Sequence, residues 1–345
     1  MGALHQPRRA WKRKGGHWGA MMGLWQDETD PAWNLATEEY LLGHVEEPCF
    51  LVWRNDKAVV IGRNQNALAE VHKTFVDRNG IPVLRRLSGG GAVFHDLGNV
   101  NFTYIEPQRV SRRRSYGDFM SPVLDFLRHM GVPAWMDARS DLAVHGRKIS
   151  GNAQCRRGGT ILHHGTLLFD TDLDLLRAAL HASPSCYKDK AVRSVRRPVT
   201  NIRRFLNDDM APERFAERLM AYMQRLLGFR RVALTDEDRQ AVSELARTKY
   251  RTWEWNYAAS PPYRFEKYGD GPHGPWRVCL DVVRGVIQKA HVESPTWPDG
   301  RKRRLERDLL ECPHEPASIL AVIRSQGETA WPELGNGEGL LDLFL

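Results

Sequence analysis

A chain of 345 residues, 42% hydrophobic and 27% charged, is long enough to bury one large core and a smaller one, so two domains are expected. Mean hydropathy is -0.50 and no apolar run approaches the roughly 20 residues of a membrane helix, which excludes a helical spanning protein and predicts a soluble one. Of the net charge of +8, five positive charges lie in residues 1–22 (Arg8, Arg9, Lys12, Arg13 and Lys14); the remainder suits an acidic partner or a phosphate-bearing ligand and is too weak to indicate nucleic acid.

Residues 1–22 have two readings, a mitochondrial transit segment or a disordered basic tail; the segment has no serine or threonine, which favours the tail. After it, Asp30-Pro31 and AWNLATEEYLLGHV predict an N-capped helix with Glu38 and Glu39 as early acids. PCFLVWR and KAVVIGR, separated by Asn55-Asp56, predict a β-hairpin. IPVLRRL and AVFHDLGNVNFTYI predict strands joined through a triple glycine, and residues 118–129 have helical periodicity. DLAVHGRKISG and GGTILHHGTLLFD predict a strand pair around residues 154–159. A helix at 173–180 follows, then a charged loop in which Pro198 blocks helix. Helices near 211–226 and 235–247 close this body. TWEWNYAASPPY reads as a linker into a small α+β unit with strands WRVCLDVV and GVIQKAHVES and helices at 301–311 and 315–325.

Three motifs carry chemistry. In RRLSGGGAVFHDLGN, residues 85–99, glycines without β-carbons let an anion approach backbone N–H groups, and Arg85 or Arg86 adds a planar cationic fork. It is neither a Walker loop nor a dinucleotide fingerprint. His95 and Asp96 follow on a strand, where neighbours face opposite ways, so a structural histidine is favoured over a metal pair. In DLAVHGRKISGNAQ, Lys148 beside a glycine turn can meet an anion, although taken alone a solvated surface lysine is the favoured reading; in LHHGTLLF, His163 and His164 face opposite sides of a strand, which favours structural roles. Cys49, Cys155, Cys186, Cys279 and Cys312 are odd in number with no C-x-x-C pair, which argues against disulfides or zinc and for a reducing compartment.

In combination and order, RRLSGGGAVFHDLGN, GRKISGNAQ, HHGTLLF and SVRRPVTNI closely resemble the lipoate-protein ligase family, as do DPAWNLATEEYLL, VWRNDKAVVIGRNQNALAE and the W-x-W junction. The resemblance spans roughly residues 24–330. It implies an α/β (α+β) fold, with a mixed-sheet catalytic domain of the biotin/lipoate ligase and class II synthetase type and a small C-terminal accessory domain. The expected boundaries are a tail at 1–22, a catalytic domain at 23–250, a linker at 251–262 and the accessory domain at 263–345.

The implied reaction is ATP-dependent activation of lipoate to lipoyl-AMP, then transfer to a lysine of acidic lipoyl carrier domains (2-oxoacid dehydrogenase E2 subunits and glycine cleavage H protein). ATP with Mg2+ and lipoate are the small molecules implied, with no prosthetic group, no nucleic acid, no membrane, a monomer, and a cytoplasmic location with the mitochondrial matrix as alternative. Lys148 would be the catalytic cation. Arg86, Gly91, Ala92, Val93 and Phe94 would hold the adenylate with it, and Ser88, Gly89 and Gly90 would line the lipoate side. His95, Asp96, Asn99, His164, Gly165 and Thr166 would support the site; Lys190, Ser194, Val195 and Arg196 would belong to a closing loop, and Asp141 would help place magnesium. Departures from the commonest family pattern are Asn152 in GRKISGNAQ and RRPVTN for RSRVTN. The rivals are a transferase using a preformed activated acyl donor and a non-catalytic acyl- or nucleotide-binding module; MDARSDLAV has no cysteine where cysteine-bearing transferases place theirs. Lipoate and octanoate both remain open as substrates.

Overall fold

A computed structural model describes residues 21–107, 115–182, 184–271, 274–326 and 341–345. The reading of residues 1–20 lies outside these. In chain order the elements are β1 (Met22–Trp25), α1 (Pro31–His44), β2 (Cys49–Arg54), β3 (Ala58–Ile61), α2 (Ala67–Glu70), α3 (Lys73–Arg78), β4 (Val83–Arg85), β5 (Val93–His95), β6 (Asn99–Pro107) and α4 (Tyr116–His129). There follow β7 (Trp135–Met136), β8 (Leu142–Val144), β9 (Arg147–Ser150), β10 (Asn152–Arg157), β11 (Thr160–Leu168), α5 (Leu173–Ala179), β12 (Tyr187–Asp189), α6 (Pro212–Leu227), β13 (Arg230–Val232) and α7 (Asp236–Leu245). The chain ends with β14 (Tyr263–Gly271), β15 (Gly274–Val283), β16 (Val286–Glu293), α8 (Asp299–Leu309) and α9 (Pro316–Ser325).

The described residues fall into two compact units. The first takes residues 21–63, Leu84–Arg177 and Val195–Arg251; the second takes Asn64–Val83, Ala178–Ser194 and Thr252–Leu345. This division differs from the contiguous boundaries expected. Met22, assigned to the tail, already pairs with Cys49 and Arg230 in the sheet. The expected linker belongs, from Thr252 on, to the second unit: residues Glu254–Ala258 form a helical turn, and Trp253 lies so close to Gly285 that a β-carbon there would meet its ring at 2.6 Å.

In the first unit a mixed sheet runs β10-β11-β6-β2-β1-β13, with β1 parallel to β2 and β13 and the other pairs antiparallel. Strand alternation divides its side chains between two faces. Phe50, Val52, Phe102, Tyr104, Ile161 and Leu167 join Phe119, Val123 and Phe126 of α4 and Phe215, Leu219 and Met223 of α6 in one core. Each such side chain stabilises by about 1.5–3 kcal/mol on burial. The opposite face carries Trp53, Asn101, Thr103, His164 and Thr166, which the register brings side by side. Helix α1 lies against this strip. Its N-cap is Asp30, whose carboxylate accepts from Ala32 N at 2.8 Å, with Pro31 at N1. That start places Glu38 and Glu39 beyond the first turn, contrary to the expectation; Glu38 is buried.

Two expected strand pairs are also corrected. β2 and β3 form no hairpin, since β3 sits between β4 and β5 in a separate sheet. Asn55, read as a turn residue, is buried and bonded to Asn34 and His95, so it fixes a corner instead. The GRKIS segment turns back on DLAV at His145-Gly146, both at positive φ, and β10 turns into β11 at Gly158-Gly159. In the second unit β12-β14-β15-β16 form an antiparallel sheet whose Phe265, Val278, Leu280 and Ile287 pack with Leu305, Ile319 and Phe344.

Candidate active site

The triple-glycine loop is shaped from beneath by Arg86. This buried guanidinium donates to the carbonyls of Val60 (3.0 Å), Gly89 and Gly91 (2.6 and 2.8 Å) and, through Nε, to Ser88 Oγ (3.0 Å). A trans peptide points its N–H opposite to its C=O, so the N–H groups of Gly90 and Ala92 face away from Arg86. The loop thereby turns two carbonyls inward on Arg86 and the N–H groups of the same two peptides away from it. Gly90 has φ +87, and a β-carbon on Gly62 would lie 2.2 Å from Gly90 O, so the loop closes only over glycine there. Arg86, expected to hold the adenylate, organises the loop through these bonds. Gly91, Ala92, Val93 and Phe94 lead from the loop into β5.

Ser88 starts a buried string of hydrogen bonds. Its hydroxyl, accepting from Arg86, lies 2.6 Å from His164 Nε2, and His164 Nδ1 donates to Glu38 at 2.9 Å. Glu38 also accepts from Thr103 Oγ1 (2.6 Å), whose oxygen accepts from Trp53 Nε1 (2.9 Å). The order resembles a serine–histidine–acid triad. Ser88, however, is fully buried and its oxygen is already held by Arg86, so it is placed to fix the loop on the strip, not to attack.

Lys148 lies at the end of that strip. A register shift between β8 and β9 leaves Ile149 bulged, a device that re-aims neighbouring side chains. The backbone of Lys148 is fixed from both sides, its N–H donating to Pro198 O (2.9 Å) and its carbonyl accepting from Thr200 N (3.0 Å). Its Nζ pairs with Asp141 at 2.9 Å and passes so close to Gly151 that a β-carbon there would sit 2.8 Å from it. Gly151 N donates to Thr166 Oγ1, and Ala153, two residues on, approaches within 3.9 Å of where a β-carbon on Gly90 would lie. Glycine loop, polar strip and lysine thus converge on one place.

The other expected residues divide. Gly165 is required by packing, since a β-carbon would meet Phe102 at 2.4 Å. Asn99 donates to Asn101 at 2.8 Å. His95 bonds Asn55 and faces Trp53 edge-on; burial, then the nearby Arg86 and His164, push its pKa down to about 3. Asp96 accepts from the N–H groups of Gly98 and Asp172, fixing a turn. His163 points into the core, stacked on Phe119. Asp141, expected to help place magnesium, is the shared counter-ion of Lys148 and Arg197, and among the described residues no group of three His, Cys, Asp or Glu side chains could hold a metal. Lys190 and Ser194 belong to the second unit, where Ser194 bonds Glu70 and Gln65; Val195 and Arg196 belong to the first. Sequence reasoning missed Glu38, Thr103 and Trp53 as parts of the site, and Asp137 and Arg197. The signal available was the run of polar residues at alternate positions, Asn99, Asn101 and Thr103, between apolar and aromatic neighbours in a buried strand.

The sequence profile of the family described as lipoyl protein ligase A/B catalytic domain matches residues 30–224. A lipoate–protein ligase 1 of Staphylococcus aureus is 38% identical over 83% of this chain and 88% of its own, and the lipoate-protein ligase LplJ of Bacillus subtilis is 35% identical over 92% and 98%. Three solved structures share 27% identity, a TM-score of 0.57 and 70% of this chain: a Thermoplasma acidophilum protein with bound lipoic acid, a lipoate-protein ligase A bound with ATP, and a bi-partite ligase of T. acidophilum studied with its E2 lipoyl domain. They are covered over 99%, 99% and 97% of their own lengths. The chain therefore belongs to the lipoate-protein ligase family. No helix among the described residues is long and apolar enough to cross a membrane.

Proposed function

We propose that this protein activates lipoate with ATP as lipoyl-AMP at the glycine loop and Lys148, and then transfers the lipoyl group to a lysine of a lipoyl carrier domain. The observation that carries the reading is the convergence on one polar strip of outward-turned loop amides and a backbone-fixed ammonium. In the first step a lipoate carboxylate oxygen bonds to the α-phosphorus of ATP while the bond to pyrophosphate breaks. Loop amides and Lys148 offset the negative charge that gathers at that phosphorus. In the second the carrier amine attacks the acyl carbon, loses its proton, and AMP departs. Ser88, His164 and Glu38 fix the loop and the acyl side of the strip. Magnesium would accompany the triphosphate and offset its charge as pyrophosphate departs.

A cysteine-borne acyl intermediate fits poorly. Burial, then Glu38 and Glu39, push the Cys155 thiol up to about 11, away from the thiolate that transfer needs. A cytoplasmic monomer acting on E2 and H-protein carrier domains completes the reading; the five free cysteines suit a reducing compartment. The test is mass spectrometry of a purified lipoyl domain incubated with enzyme, lipoate and MgATP, beside a sample given lipoyl-AMP without ATP. Modification in both is expected. Modification with lipoyl-AMP alone would make the protein a transferase, and none in either would leave a binding module.

A further inference from the structure

The side chains around Lys148 include a second cation that the reaction as described does not use. Arg197 Nη1 pairs with Asp137 and lies 3.1 Å from Asp141 Oδ2, the same oxygen that Lys148 Nζ meets at 2.9 Å. Asp137 is itself rigidly placed: its other oxygen accepts from the N–H groups of Arg139 and Asp141, both at 2.9 Å. The turn between them passes through Ser140 at φ +63, and Ser140 O accepts from Asn152 of β10 at 2.6 Å. Arg197 directly precedes Pro198, whose carbonyl fixes the Lys148 N–H. Asp141 therefore serves two cations from a side chain that is 13% exposed, and Asp137 holds one of the two in register.

The electrostatic consequence follows from charge counting. A carboxylate shared with a guanidinium attracts an ammonium less than one left to it alone, and the guanidinium also repels the ammonium directly. With Arg197 present, Lys148 can exchange Asp141 for an anionic ligand without leaving an unpaired buried carboxylate behind. We infer that Arg197 is a positioning residue that, through Asp141, keeps Lys148 exchangeable, so that the ammonium can pass from its counter-ion to the carboxylate and α-phosphate of the bound substrates. The inference rests on the adenylation reading for its purpose, and its physical content, the hold of Asp141 on Lys148, is measurable without turnover.

The experiment compares wild type with Arg197→Ala, Arg197→Lys and the double variant Arg197→Ala with Asp141→Asn. Two readouts are taken: the pH dependence of Lys148 acetylation by acetic anhydride, followed by peptide mass spectrometry, and lipoate-dependent pyrophosphate release with MgATP. In Arg197→Ala, Lys148 acetylation shifts to higher pH, and pyrophosphate release falls about tenfold in kcat with KM for ATP little changed, since the loss falls on the transition state. Arg197→Lys restores much of both, and the double variant returns the acetylation profile to or below the wild-type pH. A merely structural Arg197 would leave the Lys148 profile unmoved, or leave the double variant like Arg197→Ala; either result overturns the inference. Absence of pyrophosphate release in wild type would instead overturn the adenylation reading, while the acetylation profiles still decide the role of Arg197.

Discussion

Two polar networks of the first unit are built on opposite principles. The string from Trp53 through Thr103, Glu38 and His164 to Ser88 is buried throughout, and its donors run inward from both ends to the Glu38 carboxylate. The cluster of Lys148, Asp141, Arg197 and Asp137 is partly open, and one carboxylate oxygen in it answers to two cations. A buried matched string has a single arrangement, because any break leaves an unpaired polar group away from water. A shared, half-open ion pair has several arrangements of similar energy. The first suits a wall that must hold a shape, and the second suits a group that must change partners during a reaction.

Substitutions sharpen this contrast. Lys148→Ala should lower lipoate-dependent pyrophosphate release by on the order of 1,000-fold while leaving the melting temperature unchanged, since it removes charge stabilisation and no core contact. A rate within tenfold of wild type would show that the open cluster is not the reacting end. Glu38→Ala should act the other way round, on stability: it strands His164 Nδ1 and Thr103 Oγ1 in the interior and should cost about 3 kcal/mol in urea unfolding. A cost under about 1 kcal/mol would mean that the string is looser than its geometry.

The smallest effect depends on pH. Burial, with His164 nearby, pushes the His163 pKa down to about 3 from an unfolded value near 6.5. The neutral ring is therefore favoured by folding: its contribution is fully present above pH 6.5 and is lost as pH falls toward 3. At pH 5 the loss is about 2 kcal/mol. His163→Phe should flatten the fall in stability between pH 7 and pH 5 by that amount, and an unchanged slope would place the acid sensitivity elsewhere in the unit.

Much of this was legible in the sequence because it rests on local signals. Asp30-Pro31 announces α1, and the Ser115–Asp118 and Thr235–Asp238 capping boxes begin α4 and α7 near where periodicity put them. Lys148 and the glycine run stand out by residue type. What escaped depended on pairings across long stretches of chain. Glu38 was read only as an early acid of the helix because nothing nearby reveals that Thr103 and His164, far along the chain, will meet it. The bonds by which Arg86 shapes the loop were not readable because their acceptors are carbonyls, which every sequence has and none displays. The hairpin expected at Asn55-Asp56 failed for a related reason: an asparagine that can make a turn can equally bridge α1 to β5.

The inward-turned carbonyls of the glycine loop set how this site can be lost. Peptide N–H groups do not titrate in water at ordinary pH, and every amino acid except proline supplies one, so no change of charge at these positions can disarm the receptor. It fails through bulk. A methyl group at position 62 would have to occupy space already filled by Gly90 O, and one at position 90 would add positive-φ strain to a close approach to Arg86. Drift at this end of the molecule is limited by volume, whereas at Lys148 it is limited by charge.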